Sequence, residues 1–263
     1  MRPVLRFVPH LVAAALLAGC AAQPTEGPTV ETGQVVGESG DPRNRARLHT
    51  ELAGLYYSRG NMNVALEELR VAVAADANYA LAYGMFGLVY MELKENALAE
   101  QNFDRALRLA PNEPDLNHNY GLYLCQTSRE KESIKYFLQA IRNPLYRAPW
   151  RSYSAAGTCS MRVKNTKDAD EFFQRALKME PDEPGSLLQL GQIRYQQGRM
   201  EDARTLVSRH NKVVTPSAES LWLALRIERK AGQRAAEQSY ATQLRRRYPA
   251  SDELRKLQRG DFE

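Results

Sequence analysis

The sequence predicts an all-α protein, a solenoid of stacked helix pairs, from three observations. A small residue recurs at Ala53, Gly87, Gly121, Gly157 and Gly191, with the larger Leu225 as sixth counterpart, at successive spacings of 34, 34, 36, 34 and 34. A large residue follows at Leu69, Phe103, Phe137, Phe173 and Val207, with a further alanine at Ala72, Ala106, Ala140 and Ala176. Prolines at Pro111, Pro181 and Pro249 then close a unit. A fixed period of this length marks a supersecondary unit that cannot bury its apolar face alone and must stack on its neighbours.

Within one unit, YGMFGLVYMELKENALAEQNFDRALRLAPNEP, the residues Ala99, Phe103 and Ala106 fall at i, i+4 and i+7, one face of a helix. Gly87 and Tyr90 mark the helix before it, and Pro111 stops the second one. Small residues at the crossing let the two backbones approach, and a large side chain fills the hole beside them. This pattern is similar to the tetratricopeptide repeat. Six repeats are expected, starting near residues 46, 80, 114, 150, 184 and 218 and winding into a right-handed superhelix. The match weakens at the end, where His210, Leu225, Glu237 and Ala241 depart from the pattern. A short amphipathic helix from Ser251, with Asp252 and Glu253 in its first turn, is expected to cap the last apolar face, giving a repeat domain over residues 43–258.

The N-terminal segment is expected to be removed. Arg2 and Arg6 supply positive charge, Leu11 to Ala18 an apolar core, and Ala18 and Gly19 the small residues of a cleavage site. That core is shorter than the roughly 20 residues needed to span a bilayer. Leu17-Ala18-Gly19-Cys20 resembles the lipobox of bacterial lipoproteins, which implies that residues 1–19 are a signal peptide and that Cys20 becomes the acylated first residue. More than one acyl chain is what stable anchoring requires. Ala21 stands where an inner-membrane retention signal has Asp, so the expected address is the outer membrane, facing the periplasm. Residues 20–42 carry no aromatic residue and many turn formers, and read as a flexible tether. A tether of this length spans roughly 25 Å.

Charge and titratable groups argue against several functions. Losing residues 1–19 takes away two arginines and no acid, so a net +5 becomes +3, a mild balance. The basic run Arg245–Arg247 reads as a solvated helix face, and no nucleic-acid partner is expected. His49, His118 and His210 lie in three different repeats without carboxylate pairs at ligand spacing. Cys125, Cys159 and His118 lack a fourth ligand and the spacing of a zinc site. The glycines sit at helix crossings and form no phosphate loop, and Asn117 and Asn119 suit structural hydrogen bonds. Neither an enzyme, a cofactor, a metal nor a small-molecule substrate is expected.

What the array offers is a concave groove lined by first helices, a shape that suits peptides and protein segments. Tyr57, Leu81, Leu88, Met91, His118 and Leu122 fall one turn around from the packing residues and are assigned to that groove, although Leu81, Leu88 and Leu122 fit the core equally well. Between repeats three and four, NPLYRAPWRSY (143–153) carries the two-residue insertion, and Pro144 and Pro149 force a break. Cys125 and Cys159 flank it in neighbouring first helices. With Cys20 acylated they are the two cysteines left, and in an oxidising periplasm they are either a disulfide, the preferred reading, or two small buried thiols.

The lipobox, the tether, the six repeats and the stretches NYGLYLC, NPLY and AAGTC together resemble the type IV pilus biogenesis and stability lipoproteins, the PilF/PilW pilotins. The resemblance implies a partner, the outer-membrane secretin through which the pilus emerges, and a part in its localisation and multimerisation, hence in pilus assembly and twitching motility. Two other classes compete: a general periplasmic scaffold for outer-membrane protein assembly or cell-wall synthesis, and a hydrolase or metal protein, which would need a polar pocket that the sequence does not show.

Overall fold

The computed structural model describes residues 40–262; the expected signal peptide, Cys20 and nearly all of the tether lie outside the described residues. Within them there are thirteen α-helices and no strand. Six antiparallel pairs run in chain order: α1 (Pro42–Ser58) with α2 (Met62–Ala75), α3 (Ala80–Glu92) with α4 (Asn96–Leu109), and α5 (Pro114–Gln126) with α6 (Glu130–Arg142). Then come α7 (Pro149–Arg162) with α8 (Thr166–Met179), α9 (Pro184–Gln196) with α10 (Met200–Val213), and α11 (Ala218–Lys230) with α12 (Arg234–Arg247). Helix α13 (Asp252–Arg259) closes the array. No described helix is long and apolar enough to cross a membrane.

The first helix starts earlier than the repeat period implies. Pro42, assigned above to the tether, is its first helical residue, where a missing N–H costs nothing, and Asp41 caps it by accepting from the Arg43 amide at 3.1 Å. Prolines occupy the same place in α5, α7 and α9.

Each pair closes by the size exchange that the sequence pattern expects. Phe103, Phe137 and Phe173 are fully buried. A Cβ added at Gly87, Gly121 or Gly157 would stand 2.7, 2.7 or 2.6 Å from the facing ring. The two departures in the last repeat compensate each other. Leu225 brings the bulk from the first helix and Ala241 the small surface from the second, and both lie in the core with Leu221, Trp222 and Leu244. His210, in the place of the usual alanine, is buried with Nδ1 2.9 Å from the Pro184 carbonyl, to which it donates. Glu237 pairs with Arg229 at 2.8 Å.

Every turn between the helices of a pair passes through one left-handed residue: Gly60, Lys94, Ser128, Lys164, Gly198 and Gly232. Helix α13 is capped by Ser251, whose Oγ accepts from the Leu254 amide at 3.2 Å, and it lays Leu254 and Leu257 on the core of the last pair.

The stacking order makes a trough. First helices of successive repeats touch one another, whereas second helices of successive repeats do not. The odd-numbered helices therefore form the tighter, inner layer and the even-numbered ones splay outside.

Candidate functional site: a cleft on the inner face

The two-residue insertion separates repeats three and four, and a cleft of about 360 Å³ lies there between α5 and α7. His118, Leu122 and Cys125 come from α5; Trp150, Ala155 and Cys159 come from α7. Arg151 and Arg162 stand at its edge and are exposed.

Three sets of bonds hold this arrangement. Cys125 and Cys159 are joined by a disulfide, with Cα atoms 5.9 Å apart, so the two first helices are tied in the middle of the inner layer. Arg162 donates from Nη1 to the Cys125 carbonyl at 2.6 Å, placing a cation on the last turn of α5, where the helix dipole is negative. The third set comes from the insertion itself. Tyr146, in the loop before Pro149, is buried, and its Oη accepts from the Ser152 hydroxyl at 3.2 Å; Ser152 Oγ in turn lies 2.9 Å from His118 Nδ1. With the Ser152 proton directed at Tyr146, its lone pair receives the His118 Nδ1–H.

His118 is buried against the Phe137 ring. Burial, reinforced by the nearby Arg151 charge, lowers its pKa from 6.5 to about 4, so it is neutral at pH 7. Burial pushes the Tyr146 phenol above its usual range. The cleft wall therefore carries no formal charge beyond the two arginines at its edge.

The residues assigned to the groove from sequence do not form one surface. His118 and Leu122 line the cleft, His118 as a buried wall. Met91 is not groove surface: it is 8% exposed and packs with Phe103 and Tyr120, because Gly87 lets α3 close on Phe103 of α4 and Gly84 lets it close on Leu116 of α5. Leu88 packs half-buried beside the same cluster. Tyr57 lies half-buried on the first core, and burial followed by the Glu92 charge raises its pKa. Leu81 is exposed. Asn117 is structural: its amide donates to the Pro111 and Glu113 carbonyls at 2.8 and 2.9 Å.

The repeat pattern does not mark Trp150 and the two arginines as wall residues, because in the sequence the insertion reads as a break. The usable signal was position: Trp150 opens repeat four, and Arg162 aligns with Gln126 of repeat three. A larger hollow of about 710 Å³ lies on the outer layer between α4 and α6, with Asp104, Arg108, Lys135 and Arg142 of mixed charge on its walls. Among the described residues no group of three or more His, Cys, Asp or Glu side chains is placed to hold a metal ion.

Comparison with known proteins agrees with the architecture. Family models of the tetratricopeptide repeat match residues 80–113 and 161–222. The type IV pilus assembly protein PilF of Pseudomonas aeruginosa is 28% identical over 217 residues, covering 82% of this chain and 86% of that protein. Its solved structure superposes with a TM-score of 0.79 at 26% identity, over 84% of this chain and 99% of that one. PilW, described as a widely conserved type IV pilus biogenesis factor, superposes with a TM-score of 0.72 at 28% identity, over 81% and 97%. The chain is thus a tetratricopeptide-repeat protein, homologous along its array to the type IV pilus biogenesis factors PilF and PilW.

Proposed function

We propose that the chain is an outer-membrane lipoprotein of type IV pilus biogenesis that receives a segment of an unassembled secretin subunit on its inner face and commits that subunit to the outer membrane through acyl groups on Cys20. A protein-binding part in pilus biogenesis is what the likeness to PilF and PilW supports. The observation that carries the finer reading is the cleft between α5 and α7. Its apolar floor of Leu122, Trp150 and Ala155, with hydrogen-bonding arginines at the edge, suits a polypeptide segment with apolar anchors. The disulfide and the Tyr146–Ser152–His118 chain fix the wall before binding, so little ordering entropy remains to be lost on the protein side.

The groove supplies recognition and the lipid supplies location. The test is to change Cys20 to Ser and fractionate the envelope. Secretin multimers are expected to disappear from the outer membrane while the subunit accumulates elsewhere; normal multimers there would remove the lipid from the mechanism. In detergent-solubilised envelope, Trp150→Ala is expected to lower co-purification of the secretin at least fivefold, and unchanged capture would remove the cleft.

A further inference from the structure

At the far end of the inner layer, α11 presents Trp222, Arg226 and Arg229 at i, i+4 and i+7, a single face. Helix α9 contributes Tyr195 and Gln192 beside them. The Arg226 guanidinium lies over Tyr195 at 4.6 Å and over Trp222 at 5.8 Å, and donates from Nη2 to Gln192 Oε1 at 3.0 Å. Lys230 stands over the same Tyr195 ring at 4.4 Å. Among the described residues neither Arg226 nor Lys230 has a carboxylate partner, and the buried Nε of Arg226 has no hydrogen-bond acceptor at all. A buried donor without a partner and two cations sharing one ring make a place that favours an anion.

The other half of the chemistry is shown by the chain itself. After α13, Gly260 turns the backbone through a left-handed conformation, and Phe262 stacks on Trp222 with ring centroids 5.5 Å apart. Arg229 covers the same ring, its guanidinium carbon 3.8 Å from the centroid. Asp261 is drawn off to Arg259 at 2.8 Å, so the described part of the chain end brings an aromatic ring to this surface, and among the described residues no carboxylate pairs with Arg226 or Lys230.

We propose that the surface between α9 and α11 binds an extended polypeptide segment that presents an aromatic side chain next to an acidic one, and that Phe262 occupies the aromatic position until such a segment displaces it. The aromatic ring of the segment replaces Phe262 on Trp222, and its carboxylate meets Arg226 and Lys230. This rests on the reading that the inner face binds polypeptide, but it concerns a different pair of helices from the cleft beside the disulfide.

The experiment uses the full chain and a dye-labelled probe peptide, Ser-Glu-Phe-Asp-Glu-Ser, followed by fluorescence anisotropy. Phe262→Ala is expected to bind the probe at least fivefold more tightly than the parent. In that background Arg226→Gln is expected to lose binding at least tenfold, as is replacement of the probe's Phe by Ala or of its acids by Lys. Deleting residues 261–263 is the second variant and is expected to match Phe262→Ala. Equal affinity of the parent and both variants overturns the proposal, as does equal binding of the acidic and basic probes. A Phe262→Ala chain that melts several degrees lower without gaining affinity overturns it too, since Phe262 is then only part of the cap. Probe binding without secretin capture overturns the partner named above and leaves this surface; secretin capture that survives Trp150→Ala, with the probe results as expected, moves recognition to this surface.

Discussion

The Cα of Gly157 faces the ring of Phe173 so closely that a methyl group there would sit 2.6 Å from a ring carbon. The ring is fully buried and has no space to retreat. Gly54, in the C-terminal part of α1, has nothing within 4 Å of the same added atom. One substitution therefore has two signs. Gly157→Ala is expected to destabilise by about 1–2 kcal/mol, the overpacking cost exceeding the gain in helix propensity. Gly54→Ala is expected to stabilise by about 0.5–1 kcal/mol. Urea denaturation of both variants beside the parent checks the contrast.

The six intra-repeat turns offer a second contrast. The same backbone conformation is held by glycine in three of them and by Lys94, Ser128 and Lys164, with φ of 64, 63 and 58°, in the others. A side chain at positive φ costs about 1 kcal/mol or more. Lys164→Gly is expected to raise stability by about 0.5 kcal/mol, since relief of strain is partly offset by a freer unfolded chain. Gly198→Ala is expected to lower it by about 1 kcal/mol. Equal midpoints for both variants would contradict the strain argument.

The Cys125–Cys159 bridge closes a loop with a sequence separation of 34 residues. A loop of that size restricts the unfolded chain enough to account for about 4 kcal/mol. Reduction, or the pair Cys125→Ala and Cys159→Ala, is expected to lower stability by about 2–4 kcal/mol and to speed amide exchange in α5 and α7 ahead of α1 and α13. Uniform loosening of all repeats would mean that the bridge is not a local tie between repeats three and four.

His118 gives the cleft a pH limit. Its pKa falls from 6.5 in an open chain to about 4 in the fold, because burial and Arg151 oppose the imidazolium. A lowered pKa means that the unfolded state binds more protons in the interval between these values, so the contribution is complete above pH 6.5 and is lost as pH falls toward 4. From pH 7.5 to pH 5 the loss should be roughly 2 kcal/mol. His118→Asn is expected to be less stable at pH 7.5 but to lose less over the same interval. A parent and variant with parallel pH dependence would show that another group governs the acid limb.

Much of the fold is legible because it is a packing rule repeated at fixed intervals. The small-over-large exchange between the helices of a pair is local in sequence, so spacing alone locates it. The groove is less legible, since its surface depends on which first helices touch. Met91 and Leu122 occupy neighbouring turns of equivalent helices, yet Met91 is sealed by Tyr120 while Leu122 lines a cleft opened by the insertion. The place of Phe262 depends on a chain reversal at Gly260 that no period reveals.

The last repeat shows how far the packing rule extends when its symbols change. Leu225 and Ala241 violate the pattern one at a time and satisfy it together, for the pair keeps the combined bulk that Gly and Phe supply in repeats two to four. Leu225 is fully buried, so Leu225→Gly leaves a cavity and a weakened helix and is expected to cost about 3–5 kcal/mol. Ala241→Phe alone overfills the core and is expected to cost about 1–3 kcal/mol. If the two positions share one volume, the double variant must be more stable than the sum of the singles allows, with a coupling of at least about 1 kcal/mol in a double-mutant cycle. Strict additivity would mean that Leu225 is fitted to the capping helix through Leu254 and not to Ala241 across the pair.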